Sequence, residues 1–127
     1  MNRDIKFRAW DEVSEKMLNW NEFLDTNMKN TFIAPESTGL ILMQYTGLHD
    51  KNGKEIYDGD IITCKQYIGG NFVDYHLEKG FVEFKDGEFG VHREQGYYLS
   101  IKKLLEYNYK IEVIGNIYDN PGLLEGE

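Results

Sequence analysis

The sequence predicts a mainly β fold, a small barrel or roll of short antiparallel strands with an N-terminal hairpin and one short helix near residues 100–107. Short apolar or alternating segments follow one another along the chain, and glycine-containing turn signals separate them. Apolar residues recur at helical spacing in a late segment only. Many short strands joined by such turns are typical of small barrels and rolls.

Residues 5–10 are predicted to start the hairpin, because apolar and polar residues alternate there as in a strand with one buried face. Residues 16–20 return beside them, and the polar segment 11–15 supplies the turn. Apolar residues are irregularly spaced in residues 21–37, so we expect a loop there with at most a short helical turn. Three breakers interrupt that segment: Asn27, Asn30 and Pro35.

The middle of the chain alternates strands and turns. Residues 40–46 form a buried-strand run, after which Asn52-Gly53 favours a tight turn because both residues tolerate positive φ. Residues 55–57 lead to a second turn at Asp58-Gly59-Asp60 and then to a strand rich in β-branched residues over residues 61–67. Short antiparallel strands are therefore expected here.

The later part of the chain contains a hairpin, a helix and a closing strand. Gly69-Gly70-Asn71 marks a chain reversal, and Asp86-Gly87 predicts a tight hairpin between two apolar segments. The helix begins after Ser100, whose hydroxyl can cap free backbone amides. Residues 110–118 predict the closing strand, in which Gly115 allows a bulge.

Length and composition limit the classes of protein to be considered. The chain has 127 residues, of which 41% are hydrophobic and 28% charged, as in one globular domain. We assign residues 1–121 to that domain and residues 122–127 to a loose C-terminal tail. The formal net charge of -8 disfavours binding along a polyanion, although a local basic patch is compatible with it.

The sequence also favours a cytoplasmic location. Cys64 is the only cysteine, so an intramolecular disulfide is excluded and a reducing compartment fits best. The N-terminus lacks the uninterrupted apolar stretch of a secretory signal. The longest apolar run, residues 40–43, is too short to cross a membrane, so no membrane partner is expected.

Three segments resemble one protein family: IKFRAWD at residues 5–11, LMQYTGLHDKNGKEIYDGDII at residues 42–62 and VIGNIYDNP at residues 113–121. They are similar to the YopX family of phage and prophage proteins. The resemblance implies a mainly β domain with an SH3-like barrel core in a bacterial host cell. It implies no activity, cofactor or catalytic residue, so no functional residue is carried over, and residues 67–107 show no family signature.

The turn after residue 49 has a partial likeness to a calcium-binding loop. Asp50 and Asn52 stand at the first and third ligand positions of such a loop. Lys54, Glu55 and Ile61 then stand where it needs an oxygen ligand, a glycine and a bidentate glutamate. A hairpin turn is therefore the better interpretation.

Asp58 and Asp60 could share a strand face as an acid–base pair or a metal clamp. An aspartate beside a glycine more often orders a turn by accepting hydrogen bonds from nearby backbone amides. A catalytic pair also needs an environment that perturbs it, and the sequence shows none. The two carboxylates are kept as candidates for an interaction surface.

No motif for a metal, a cofactor or a nucleophile is found. The soft or borderline metal ligands do not form the close pairs that structural zinc sites use. These residues are Cys64, His49, His76 and His92. A phosphate-binding glycine loop and a nucleophile elbow are also missing, so we expect no catalytic, cofactor-binding or metal-binding residue.

Aromatic residues make up 14% of the chain, and two tyrosine pairs stand out, Tyr97-Tyr98 and Tyr107 with Tyr109. Neighbouring strand positions face opposite ways, so one of Tyr97 and Tyr98 is expected to face outward. Exposed tyrosines suit protein interfaces and also stack on single-stranded bases. The alternative for most tyrosines is that they fill the core or its rim.

The leading functional hypothesis is a non-enzymatic phage or prophage accessory protein that binds another protein, either a host protein or itself as a homo-oligomer. The candidate surface comprises Tyr97, Tyr98, Tyr107, Tyr109, Asp58 and Asp60. One alternative is a nucleic-acid-binding barrel that uses Lys102 and Lys103 with neighbouring tyrosines. A second alternative is an unrecognised metal-dependent hydrolase that uses Asp58 and Asp60.

Overall fold

A computed structural model describes residues 4–68, 71–73, 79–93, 98–107 and 109–124. The strands are β1 Phe7–Asp11, β2 Lys16–Leu18, β3 Leu40–His49, β4 Glu55–Tyr57, β5 Asp60–Ile68, β6 Asn71–Val73, β7 Gly80–Lys85, β8 Glu88–Arg93, β9 Tyr98–Ser100 and β10 Tyr109–Asn116. The helices are α1 Trp20–Leu24, α2 Met28–Ile33 and α3 Ile101–Glu106, with 3-10 turns at Pro35–Ser37 and Pro121–Leu124. The predicted mainly β fold is confirmed.

The first sheet has four antiparallel strands in the order β2-β1-β3-β4. The predicted opening hairpin is confirmed, with Ala9 opposite Leu18 in the β1–β2 pair. Its turn is ordered by the Asp11 carboxylate, which accepts hydrogen bonds from the backbone N–H groups of Val13 and Ser14. Ala9 is fully buried and packs in a small core with Phe23.

The prediction of a loop over residues 21–37 is wrong, because α1 and α2 lie there. Asn19 begins α1 with a capping box, in which its side chain accepts from the Glu22 N–H and the Glu22 carboxylate accepts from the Asn19 N–H. Asn27, interpreted from the sequence as a breaker, caps α2 by accepting from the Asn30 N–H. Helices of five and six residues are too short to show a helical period.

The second sheet contains β10-β5-β7-β8-β9 in that order, with β6 paired to β5. The predicted Asp86-Gly87 hairpin is confirmed, because Lys85 pairs with Glu88 directly across it. Both turn residues have positive φ, 53° and 85°, as a two-residue hairpin loop requires. A hydrophobic core that includes Ile62, Val82 and Val91 packs against this sheet.

The predicted late helix is α3, and Ser100 caps it by accepting a hydrogen bond from the Lys103 N–H. Ile101 and Leu104 point from α3 into the main core. The predicted closing strand is β10, whose pairing with β5 shifts at Gly115, as a bulge requires. Residues 125–127 of the predicted tail lie outside the described residues.

None of the helices described is both long enough and apolar enough to cross a membrane.

Candidate functional site

The two sheets meet at the turn Asp58-Gly59-Asp60, named here the aspartate turn. The Gly59 N–H donates to the Val82 carbonyl of β7, and the Gly59 carbonyl accepts from the Ile117 N–H. The Asp58 N–H donates to the Gln44 carbonyl of β3. The aspartate turn therefore joins the first sheet, the second sheet and the segment that follows β10.

Asp60 lies inside the protein, with 1% of its surface exposed. Its Oδ1 is 2.8 Å from Arg8 Nη2, and its Oδ2 accepts a hydrogen bond of 2.7 Å from the Tyr57 N–H. The Arg8 guanidinium also lies over the Tyr57 ring, 4.9 Å from its centroid. Burial raises the pKa of Asp60, while Arg8 and the Tyr57 N–H act in the opposite direction. This carboxylate is thus used within the fold and has no surface with which to meet a partner.

Asp58 is partly buried at the edge of the same turn. Burial raises its pKa to about 6, and the nearby charges of Glu83 and Asp60 add to that shift while Arg8 opposes it. Burial and the charge of Asp58 also raise the pKa of Tyr118, whose ring stacks on Trp10 at 5.5 Å. Asp58 therefore sits in an environment that favours the neutral carboxylic acid.

The other candidate ligands do not join the aspartate turn in a metal site. Within the described residues, no group of three or more His, Cys, Asp or Glu side chains could hold a metal ion. His49 lies 3.4 Å from the Tyr45 hydroxyl, His92 lies 3.3 Å from Glu83, and burial raises the pKa of the Cys64 thiol to about 11. His76 lies outside the described residues. The two aspartates that motivated the hydrolase alternative are thus built into a structural turn.

Asp50 has a role that the sequence did not reveal. Its Oδ1 accepts from the N–H groups of Asn52 and Lys54, and its Oδ2 accepts a 3.0 Å hydrogen bond from the Val113 N–H of β10. Burial would raise the pKa of Asp50, but the three N–H donors together lower it. The carboxylate thus closes the turn and attaches it to β10. Asp50 differs from an ordinary turn aspartate only in its hydrogen bond from the distant Val113 N–H, and no local sequence pattern predicts that bond.

Tyr107 and Tyr109 line a concave surface between α3 and the neighbouring strands, named here the tyrosine cleft. It has a volume of about 390 Å³. Its lining residues are Glu88, Leu99, Ser100, Lys103, Leu104, Tyr107 and Tyr109. Tyr107 is 65% exposed, whereas Tyr109 is half-buried against the main core. The tyrosine cleft thus combines an apolar floor with an exposed aromatic rim.

Two smaller clefts are lined in part by residues of β10. The side cleft, of about 200 Å³, is lined by His49, Asp50, Lys51, Leu105, Tyr109, Lys110 and Ile111. The end cleft, of about 80 Å³, is lined by Lys51, Thr63, Lys65, Lys110 and Glu112. Along β10, Lys110 and Glu112 alternate with Tyr109 and Ile111, which pack with the main core, so the end cleft lies on the opposite face of the second sheet from Tyr109.

The structure separates the predicted surface residues into two places. Tyr107 and Tyr109 share the tyrosine cleft with Lys103, whereas Asp58 and Asp60 belong to the aspartate turn. Tyr97 and the side chain of Tyr98 lie outside the described residues, although the backbone of Tyr98 begins β9. Leu99 and Leu104 were not predicted as site residues. The sequence feature that could have identified them was the apolar spacing of α3 and of the strand before it.

Comparison with known proteins supports the resemblance seen in the three sequence segments. A family model described as "YopX protein" matches residues 6–125. Among solved structures, the crystal structure of protein EF1440 from Enterococcus faecalis is similar, with a TM-score of 0.62 and 27% sequence identity over 98% of this chain and 100% of that chain. No curated protein matches. The resemblance thus extends over nearly the whole chain.

Proposed function

The chain belongs to the YopX protein family, and on that premise we propose that it is a non-enzymatic accessory protein of a phage or prophage that binds another protein through the tyrosine cleft. The observation that carries the proposal is the position of Tyr107, 65% exposed at the rim of an apolar concavity. Tyrosines at interfaces supply a large rigid contact area with a polar tip. Apolar grooves are among the surfaces that take up the apolar side chains of a partner protein.

The distribution of other tyrosines supports the choice of this cleft. Tyr45 is 4% exposed and Tyr57 is 9% exposed, and both rings pack beside the aspartate turn. Tyr118 stacks on Trp10. These side chains stabilise the fold. Among the tyrosines whose side chains the structure describes, Tyr107 offers the most surface to a partner.

The test is capture of proteins from a bacterial lysate by the immobilised chain and by two variants. Tyr107→Ser with Lys103→Glu changes two exposed residues of the cleft, and Val13→Ser changes a side chain that is 86% exposed in the β1–β2 turn. We expect a specific captured protein to be retained by the wild type and the Val13→Ser control. Its recovery should fall at least about tenfold on the cleft variant, the loss typical of an interface residue worth 1.4 kcal/mol or more.

Light scattering after size exclusion covers the case in which the partner is a second copy of the chain. In that case the wild type and Val13→Ser form an oligomer and the cleft variant is monomeric. Equal capture by the cleft variant and the wild type would contradict the proposal. So would a monomeric wild type that captures no protein at all.

Single-stranded nucleic acid is the second candidate, because Lys103 lies in one cleft with Tyr107 and Tyr109. Lysines can neutralise phosphates while tyrosines stack on bases. This candidate predicts salt-sensitive fluorescence anisotropy with labelled oligonucleotides, which the Lys103→Glu change should abolish. No binding of single- or double-stranded DNA or RNA at low salt would remove it.

A further inference from the structure

We propose that the end cleft is a binding site for a phosphate dianion, held by the ammonium groups of Lys51, Lys65 and Lys110 and by the Thr63 hydroxyl. The end cleft lies on the face of the second sheet opposite Tyr109, so this site is separate from the tyrosine cleft and from the function proposed for it. The register of β5 with β10, the size of the end cleft and its charge together support the site.

The register of β5 with β10 brings four polar side chains together on one face of the second sheet. Lys65 pairs with Lys110, and Thr63 pairs with Glu112 two positions along. Directly paired residues of neighbouring strands point to the same face. The residues that alternate with these four along both strands pack with the main core. The four polar side chains therefore form a square on the outer face of the sheet, which is the face away from the main core.

Lys51 adds a third lysine to this square from the turn that precedes β4. Its backbone N–H donates a 2.8 Å hydrogen bond to the Ile111 carbonyl, on the edge of β10 away from β5. The neighbouring Asp50 carboxylate accepts from the Val113 N–H of the same strand. The Lys51 side chain crosses to the outer face, where its Nζ lies 3.6 Å from Glu112 Oε1. Two attachments to β10 thus hold this lysine beside the other two.

The end cleft has the size of a phosphate group. Its volume is about 80 Å³, whereas one water molecule takes up roughly 30 Å³ in the liquid. Thr63, Lys65 and Glu112 are partly buried and form its floor, while Lys51 and Lys110 are exposed at its rim. A compact ion of phosphate size fits this space, and any larger group attached to the phosphate would project into solvent.

The end cleft is basic, although the chain as a whole is acidic. Of the residues that the structure describes, three lysines and one glutamate line it, which gives a net charge of two positive units. Elsewhere the chain carries eleven Lys and Arg against twenty-one Asp and Glu, from totals of 14 and 22. A phosphomonoester carries about −1.5 to −2 charge at neutral pH, and inorganic phosphate carries a similar charge. One phosphate therefore neutralises the end cleft.

The pairing of Lys65 with Lys110 itself favours a bound anion. Like charges directly opposite each other on neighbouring strands destabilise a sheet. A dianion between the two ammonium groups replaces this repulsion with two attractions and accepts charge-assisted hydrogen bonds from both. The Thr63 hydroxyl can donate a further hydrogen bond to a phosphate oxygen. Phosphate binding thus relieves an unfavourable feature of the fold.

Glu112 limits the affinity of the site. Its ion pair with Lys51 is exposed to solvent and contributes little to stability, so a phosphate can take over Lys51 at small cost. The Glu112 carboxylate then repels the bound anion across the same cleft. Removing this charge should therefore strengthen phosphate binding, an effect that a merely structural role of the three lysines would not produce.

The experiment titrates the isotope-labelled chain with sodium phosphate at neutral pH and constant ionic strength, and follows the backbone amide signals by NMR. Parallel titrations use phenyl phosphate, which is a phosphomonoester, and dimethyl phosphate, which is a diester with a single charge. The variants are Lys65→Gln, Lys110→Gln, Glu112→Gln and Lys29→Gln. Lys29 is an exposed lysine on α2, so its variant is the matched control for the loss of one positive charge. The amide spectrum of each variant establishes that it is folded.

We expect phosphate to shift the amide signals of the end cleft and to leave those of α2 unchanged. The dissociation constant should rise about tenfold or more for Lys65→Gln and for Lys110→Gln, since a hydrogen bond to a charged group contributes at least that factor. It should fall about two- to fivefold for Glu112→Gln, as expected for an exposed pair of charges, and stay unchanged for Lys29→Gln. Dimethyl phosphate should bind about tenfold more weakly than phosphate.

The two dianions identify the source of the phosphate. Binding of phenyl phosphate at least as tight as that of inorganic phosphate would assign the site to phosphomonoesters, and weaker binding would assign it to inorganic phosphate. Unchanged affinity in Lys65→Gln and Lys110→Gln would overturn the site, as would an equal loss in Lys29→Gln. Dimethyl phosphate that binds as tightly as phosphate, or amide shifts that occur only outside the end cleft, would overturn it as well.

Discussion

At the scale of single residues, the three aspartates between residues 50 and 60 differ in what surrounds each carboxylate. Asp50 accepts three backbone hydrogen bonds. Asp60 pairs with Arg8 and accepts from the Tyr57 N–H. Asp58 is partly buried near Glu83 and Asp60, and its pKa is raised to about 6. Burial raises the pKa of both Asp58 and Asp60, but Asp60 is paired with Arg8, so the charge of Asp58 is the one that can be removed without breaking that ion pair.

The change Asp58→Asn is therefore expected to stabilise the protein at neutral pH. The pKa of Asp58 is about 6 in the folded protein against 3.8 as its ordinary value, so the folded state binds the proton more tightly and stability falls as pH rises from about 4 through 6. Removing the charge should add about 1–2 kcal/mol at pH 7, after allowance for screening by solvent, and almost nothing at pH 4.

Urea denaturation at pH 4 and pH 7 measures this difference, with Asp25→Asn as the control for loss of an exposed aspartate. A variant whose free energy of unfolding follows that of the wild type at both pH values would show that the Asp58 carboxyl is not perturbed.

Arg8 and Asp60 are expected to act as one unit. Arg8→Met leaves the buried Asp60 carboxylate without its cation, which costs about 3–5 kcal/mol for a buried pair. Asp60→Asn keeps an acceptor for the Tyr57 N–H and removes the charge. The double variant should therefore recover about 1–3 kcal/mol relative to the sum of the single changes. Urea titrations of the four proteins measure this coupling, and additivity within about 0.5 kcal/mol would refute it.

At the scale of elements, the aspartate turn is built around Gly59, whose φ is +89°. A Cβ at this position would lie 3.0 Å from Met43 Sδ, and Met43 is itself buried. Gly47 has nearly the same φ, +87°, but nothing lies within 4 Å of its Cβ position. Substitutions at the two glycines therefore separate the cost of a left-handed backbone, present at both, from the cost of close contact with Met43, present only at Gly59.

Gly47→Ala should cost about 1 kcal/mol from backbone strain alone. Gly59→Ala should cost about 1–3 kcal/mol more, because overpacking against Met43 is added to that strain. The free energies of unfolding of the two variants, measured side by side, check this difference. Equal losses would mean that Met43 moves aside and that the sheets do not meet tightly at this turn.

Elements whose structure is decided locally could be predicted from the sequence. The Asp86-Gly87 hairpin followed from the positive φ that both residues tolerate, and α3 followed from its Ser100 cap and apolar spacing. Helices α1 and α2 were missed because Asn19 was assigned to the returning strand of the hairpin and Asn27 to a loop, although both residues cap helices. Their few residues leave no periodicity to correct that interpretation.

The aspartate turn and the tyrosine cleft could be predicted from the sequence only in part. The turn role of Asp60 followed from its place beside Gly59, but its partner Arg8 comes from β1, far away in the sequence. The tyrosine cleft joins residues of β8, β9, α3 and β10. Tyr107 and Tyr109 could be selected by their aromatic character, whereas the leucine floor depends on how the chain folds back.

At the scale of the whole molecule, the turns that join the two sheets and the proposed binding surface lie on different segments. The aspartate turn and the Asp50 turn join the sheets. The tyrosine cleft draws on residues 88–109. The YopX family model matches residues 6–125 and therefore covers both. We propose that the two turns maintain the fold, while the cleft contacts the partner.

That division of roles is tested most directly by measuring partner capture and melting temperature together on two variants. Tyr107→Ser with Lys103→Glu should lose the captured partner at an unchanged melting temperature, because both side chains are exposed. Gly59→Ala should lower the melting temperature and still capture the partner below it. A cleft variant that captures the partner as well as the wild type would contradict the account.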